Sequence, residues 1–264
     1  MKCHVKKSPL LCTYYQSYKI KLLTQKEITC VCVLDSIMST YDPRFRVPGN
    51  MQIVGPSLSG KTTWLYRLVR DAPVYFQRAD GSPCYFQKIV YCYGSSWQPI
   101  FDHFQALGVH FHQGLPEEIL ALFPPQQRPG MLILDDLMQE TTKSSDVTQL
   151  LTRDTHHLDL FAITLSQNLY PGGREQATQN RNYHYTVLFK NPADTRYVKA
   201  LGNQWLGNSQ AFWQLYQKAT QTPFGYLVID HHPRTDEAIR FRTHVLLDEP
   251  EPVTVLQPTS SQKR

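Results

Sequence analysis

Residues 55–63 read GPSLSGKTT. Glycines at 55 and 60, followed by Lys61 and Thr62, have the spacing of a loop that wraps backbone N–H groups around an anion. Gly55, Pro56, Ser57, Ser59, Gly60, Lys61, Thr62 and Thr63 would line such a loop. Lys61 puts a point charge where the outer phosphates of a nucleoside triphosphate would lie, and the Thr62 hydroxyl is a Mg²⁺ ligand. A second group follows 74 residues after Lys61, where the apolar run MLIL ends in Asp135 and Asp136. Asp135 suits Mg²⁺, held directly or through water. Asp136 suits the orientation or deprotonation of an attacking water; a Glu is commoner there, and Asp is one methylene shorter. A third group is Ser166, Gln167 and Asn168 at the end of another apolar run. The Gln167 amide can donate to a terminal phosphate and accept from water at once. The same triplet also reads as ordinary strand-end capping. Together these residues point to a nucleoside triphosphate with Mg²⁺, and to transfer of its terminal phosphoryl group.

The neighbouring sequence supplies elements able to place them. MQIV, residues 51–54, reads as a strand, and TTWLYRLVRDA reads as a helix with Trp64, Leu65, Leu68 and Val69 on one face. Strand, loop and helix put the positive end of the helix under the phosphates. KIVYCYG, VHFHQG, MLILDD, LFAITLSQN, HYTVLFKNP and FGYLVID read as further strands. SSWQPIFDHFQALG, SDVTQLLTRDTHH, ADTRYVKALG and NSQAFWQLYQKAT read as helices between them, the first opened by a serine cap. AIRFRTHVLL alternates, with Arg240, Arg242 and His244 opposite the apolar set, and predicts a half-exposed antiparallel strand near an edge. The pattern predicts an α/β fold: a mostly parallel central sheet flanked by helices, with an antiparallel edge. Both acids then lie at carboxyl ends of strands, where such sheets gather ligands. Two strand candidates lie between Lys61 and Asp135. They predict an extra strand between the loop strand and the acidic strand, as in motor ATPases.

Length and charge bound the rest. A chain of 264 residues supports one domain of this class. The net charge of +5 is concentrated at the start: residues 1–37 hold six Lys and two acids, leaving 21 Lys and Arg against 20 acids. Any basic track on the folded part is therefore local. Residues 1–37 read as a disordered or loosely attached extension, or as an addition upstream of a start at Met38. Residues 38–247 read as the ATPase domain, and 248–264 as a disordered tail rich in Pro and polar residues. Four of the six cysteines fall in the first 32 residues with no C-x-x-C pair, which fits a reduced intracellular compartment. No apolar run approaches the ~18 residues of a membrane span. His156–His157 and His231–His232 lack partners at metal-ligand spacing, and His156–His157 read as helix-end capping.

The ordered set GPSLSGKTT, LILDDLM, THH, SQNLY, NYHYTVLFKNP and PFGYLVID, spanning roughly Phe45 to Val245, resembles viral DNA-packaging ATPases of the FtsK–HerA type. These are the poxvirus-like and polinton-like kinds, with the adenoviral packaging ATPase a more distant relative. The resemblance implies a RecA-like P-loop motor, working as a homo-oligomeric ring that threads double-stranded DNA into a preformed capsid. It also implies a capsid portal or vertex partner, no membrane, and a place in the host nucleus, a virus factory or the virion. Such rings take an arginine from the neighbouring subunit. Related chains often carry it at the position of Ala177, and another Arg at that of Ala193. Arg181 and, next, Arg174 are the substitutes here, unless they are solvated or touch DNA. Arg174, Arg181, Lys190, Arg196 and Lys199 would form the DNA track. Two other functions fit the loop. One is an ATP-binding packaging scaffold with little hydrolysis. The other is a small-molecule kinase, although no Arg-rich lid follows the acidic strand.

Overall fold

The computed structural model describes residues 21–23, 42–94, 96–141, 144–168, 174–251 and 253–257. In chain order its strands are β1 (Lys21–Leu23), β2 (Phe45–Arg46), β3 (Gly49–Val54), β4 (Phe76–Gln77), β5 (Lys88–Tyr93), β6 (His110–Gln113), β7 (Gly130–Asp135), β8 (Leu160–Ser166), β9 (Tyr185–Phe189), β10 (Tyr226–Asp230), β11 (Phe241–Thr243) and β12 (Thr254–Leu256). The main helices are α1 (Lys61–Arg70), α2 (Ile100–Ala106), α3 (Ser145–Gln149), α4 (Arg174–Arg181), α5 (Thr195–Leu206) and α6 (Ser209–Ala219). Ten strands form one sheet in the order β1-β12-β11-β10-β9-β3-β8-β7-β5-β6. Every neighbouring pair from β9 to β6 is parallel. β10, β11 and β12 add antiparallel strands on the other flank. This is the expected α/β architecture.

Both faces of the central parallel strands are covered, so β7 and β8 are buried along almost their whole length and mostly apolar. In β7, Met131 and Ile133 face one core with Trp64, Leu65 and Leu68 of α1 and Phe101 and Phe104 of α2. Leu132 and Leu134 face another, with Val147 of α3 and Leu150 and Leu151 after it. That alternation is the two-residue period of a pleated strand. Farther along the sheet, α5 and α6 pack on Leu188, Leu227 and Ile229. Gly207, at φ 62°, ends α5, and the Asn208 side chain caps α6 by accepting from Ala211 N at 3.0 Å. The helix expected after Ser96 starts later, at Ile100, without a serine cap.

Other expectations are corrected. One strand does separate β3 from β7, but it is β8, which comes later in the chain; β5 and β6 lie beyond β7. The reason is polarity. β8 is buried along almost its whole length, whereas β6, with His110, His112 and Gln113 exposed, fits only an edge. The tail carries ordered structure at 248–251 and 253–257. Val253–Leu256 are buried, and β12 pairs with β11. A β-prone VTVL was hidden inside the Pro-rich composition that sequence reading took for disorder. β1 pairs in parallel with β12, so the N-terminal extension meets the sheet there.

The alternation read in AIRFRTHVLL also fails. β11 is short and fully buried, with two strands outside it. Arg242 is 1% exposed and paired to Asp230 at 3.0 Å, with a further bond to Pro43 O at 2.8 Å. Breaking such a pair leaves one buried charge alone. Asp230→Ala is expected to cost roughly 3–5 kcal/mol, seen as a lower urea midpoint; a cost under about 1 kcal/mol would show that Arg242 is solvated.

Candidate nucleotide site

The parallel strands β3, β5, β7 and β8 deliver their carboxyl ends to one edge of the sheet. At the end of β3 the chain enters the loop, where Gly55 N donates to Ser166 O at 3.1 Å and ties it to the end of β8. Gly60, at φ 95°, turns the chain into α1. Only glycine adopts that conformation without cost. Leu58 also has positive φ, at 63°, and is 96% exposed at the loop's tip. The first turn of α1 carries no acid to compete for its N–H groups. Ser59 Oγ is buried with no hydrogen-bond partner among the described residues. An orphaned hydroxyl in a glycine-framed loop at the start of a helix fits an anion.

Lys61 lies folded over the loop, donating Nζ to Gly55 O and, at 2.8 Å, to Pro56 O. Burial lowers its pKa, with Asp135 and Asp136 pulling the other way. Asp135 ends β7 and is buried. Its pKa is raised, first by burial and then by Asp136; a hydrogen bond from Tyr91 and the charge of Lys61 oppose the rise. The Tyr91 hydroxyl donates to Asp135 Oδ2 at 2.6 Å from the neighbouring strand β5. A hydroxyl at Thr62, one carboxylate, phosphate oxygens and water form the donor set that Mg²⁺ takes. Among the described residues no cluster of three His, Cys, Asp or Glu offers an all-protein metal cage.

Asp136 is exposed, at φ 54°. Aspartate visits this left-handed region more readily than longer side chains. The backbone therefore accounts for Asp where Glu was the commoner expectation. Gln167 Nε2 lies 3.5 Å from Asp136 Oδ1, so the residue after β8 reaches the residue after β7. Gly94 makes room for them: a Cβ there would lie 2.3 Å from Asp136 O.

Lys61, Asp135, Asp136 and Gln167 are thus brought to one edge of the sheet, with the loop residues Gly55, Pro56, Ser57, Ser59, Gly60, Thr62 and Thr63 beside them. Arg181 is not with them. It ends α4 next to Asn182, whose carbonyl accepts from Asn50 Nδ2 at 3.0 Å near the start of β3. That is the opposite edge of the sheet. The Arg174 side chain lies outside the described residues. His156, His184 and His232 meet at the far edge too, with ring centroids 5.2 and 5.8 Å apart. Burial lowers the His184 pKa to about 4.

Tyr91 and Gly94 were missed in the sequence; the faint signal was a tyrosine inside an otherwise buried apolar strand. Tyr91→Phe removes a donor that favours the charged form of Asp135, so the Asp135 pKa rises further. The acid limb of any Mg²⁺-dependent activity should move to higher pH, and half-saturating Mg²⁺ should rise roughly tenfold. An unchanged Mg²⁺ titration would assign Tyr91 to packing alone.

No family model and no curated protein sequence matches the chain. Solved structures do. The genome packaging NTPase B204 from Sulfolobus turreted icosahedral virus 2, in complex with ATP-gammaS, is 12% identical over 75% of this chain and 97% of its own, with a TM-score of 0.46. The DNA-packaging ATPase B204 from Sulfolobus turreted icosahedral virus is 10% identical over 75% and 97%, with a TM-score of 0.48. The cytoplasmic domain of EssC is 17% identical over 52% of this chain and 30% of its own, with a TM-score of 0.33.

Proposed function

We propose that this protein hydrolyses ATP and uses the energy to move double-stranded DNA into a preformed viral capsid. The observation that carries the hydrolytic reading is the meeting of Asp136 and Gln167 at the ends of β7 and β8, on the edge that holds Lys61 and Asp135. Bound Mg²⁺ supplies neutralisation of charge on the phosphate oxygens. Asp135 and Thr62 would hold it. Asp136 orients a water for attack on the γ-phosphorus and takes its proton as the bond to the β-phosphate oxygen breaks. Gln167 spans that water and the terminal phosphate. Lys61 balances the charge that builds on the departing side.

DNA as the polymer moved rests on the ordered motifs and on exposed cations. Arg181, Lys190, Arg196 and Lys199 are all exposed, and phosphate contacts suit a motor indifferent to sequence. Arg181, far from its own subunit's phosphates, is free to serve a neighbour in a homo-oligomeric ring. Such a ring would dock on a capsid portal or vertex protein. A hydrolysis assay on the full chain, with native mass measured alongside, tests the proposal. Double-stranded DNA should raise turnover several-fold in the assembled ring. Turnover indifferent to DNA would sink the translocase reading. Tight ATP binding without turnover, with DNA and capsid vertex present, would favour the scaffold.

A further inference from the structure

A cleft of about 540 Å³ opens beside the phosphate loop, lined in part by residues 223–226 of the PFGYLVID stretch, to which the sequence assigned no role of its own. It touches Gly60, just before α1, and Thr63, Trp64 and Arg67 of α1. Those positions are spaced as one face of a helix. The rest of its lining comes from Phe189 at the end of β9, from residues 222–226 leading into β10, and from His244 and residues 248–251 after β11. β9 and β10 lie on one side of β3, whereas the acids of β7 lie on the other. The cleft is therefore the way out of the loop for whatever is joined to the phosphate farthest from Asp135 and Asp136.

Its walls are aromatic. Trp64 and Tyr226 contact edge-to-face at 5.4 Å, and Phe189 and Tyr226 lie 5.6 Å apart. Phe224 differs from these. Among the described residues it stacks on no other ring, and it is 68% exposed. It also holds a positive φ of 60°, a costly state for a bulky residue. Its ring lies against the loop: a Cβ on Gly60 would sit 3.1 Å from Phe224 Cδ1. The rim carries acceptors. Asp248, Glu249 and Glu251 line it, while the one arginine there, Arg67, is held by Asp248 at 2.9 Å. Acceptors favour a ring that bears amino donors.

We infer that this cleft seats the nucleoside of the triphosphate, with a purine base stacked on Phe224 and its amino edge toward the acidic rim. The inference rests on the ATPase reading above and adds which part of the chain reads the base. A flat, exposed ring beside the phosphate loop gives stacking to any base, and more to a purine than to a pyrimidine. A nucleoside of ordinary size fits the volume of the cleft.

The experiment is a competition titration on the full chain, using a ribose-labelled fluorescent ATP as tracer. Unlabelled ATP, UTP and inorganic tripolyphosphate compete in turn. The wild type should prefer ATP over UTP several-fold. Phe224→Ala should weaken ATP about tenfold, erase the preference over UTP, and leave tripolyphosphate unchanged. Phe224→Tyr should restore ATP. Equal weakening of ATP and tripolyphosphate would mean that the substitution disturbs the loop, and it would overturn the assignment. So would an unchanged ATP affinity. A wild type that binds none of the three, behaving like Lys61→Ala, would overturn the nucleotide reading itself as well.

Discussion

Lys61→Ala is expected to lower ATP turnover by at least about 10³-fold and to weaken nucleotide binding in the same protein. The ammonium sits over the carbonyls of Gly55 and Pro56 and faces two aspartates across the site. Burial already works against its charge, so an incoming polyphosphate is its best available partner. Removing it takes away attraction in the bound complex and more in the transition state, where charge grows. Thermal stability should hardly change, because the variant removes a desolvated cation rather than a packed apolar group. Phosphate release and a thermal melt on one sample check both halves. Turnover within tenfold of wild type would end the proposed role of the loop.

Asp136→Asn should cost about 10²–10³ in kcat while nucleotide and Mg²⁺ still bind. The loop, Thr62 and Asp135 are untouched, and Asn tolerates the same left-handed backbone at φ 54°. The loss is then chemical, not conformational. Asp136→Glu is the informative partner. It lengthens the reach by one methylene but places a longer side chain on a backbone it tolerates less well, so turnover should fall below wild type. Single-turnover rates with separately measured ATP affinity distinguish the cases. A wild-type rate in Asp136→Asn would move the water-activating role elsewhere, and an equally inert wild type would favour the scaffold reading.

Local spacing made half of the site legible. Lys61 and Thr62 follow the glycines directly, and Asp135, Asp136 and Gln167 end apolar runs, so each is positioned by its own few neighbours. What could not be read depends on which strands lie side by side. Tyr91 reaches Asp135 only because β5 pairs with β7 in a register that matches Tyr91 with Ile133 and Tyr93 with Asp135. Gly94 matters only because Asp136 O passes close to it. The cleft needs β10 and residues 244–251 brought around to α1, and no local pattern encodes that. Composition misled in one further way: Arg242 was placed outward by its charge, but a buried Asp230 waits for it.

The segment from 248 to 251 is tied to the fold by ion pairs and hydrogen bonds. Asp248 is clamped by Arg67 and Arg70 of α1, and Glu249 by the Tyr226 hydroxyl at 2.8 Å, while the chain just beyond becomes β12. For a ligand that needs this wall intact, binding in the cleft and the seating of β12 would be thermodynamically linked, each strengthening the other by the same free energy. At a hundred times its Kd, a ligand that needs this wall intact resists its release by up to about 2.7 kcal/mol. β12 and the β1 strand paired with it would then register nucleotide occupancy across the width of the antiparallel flank.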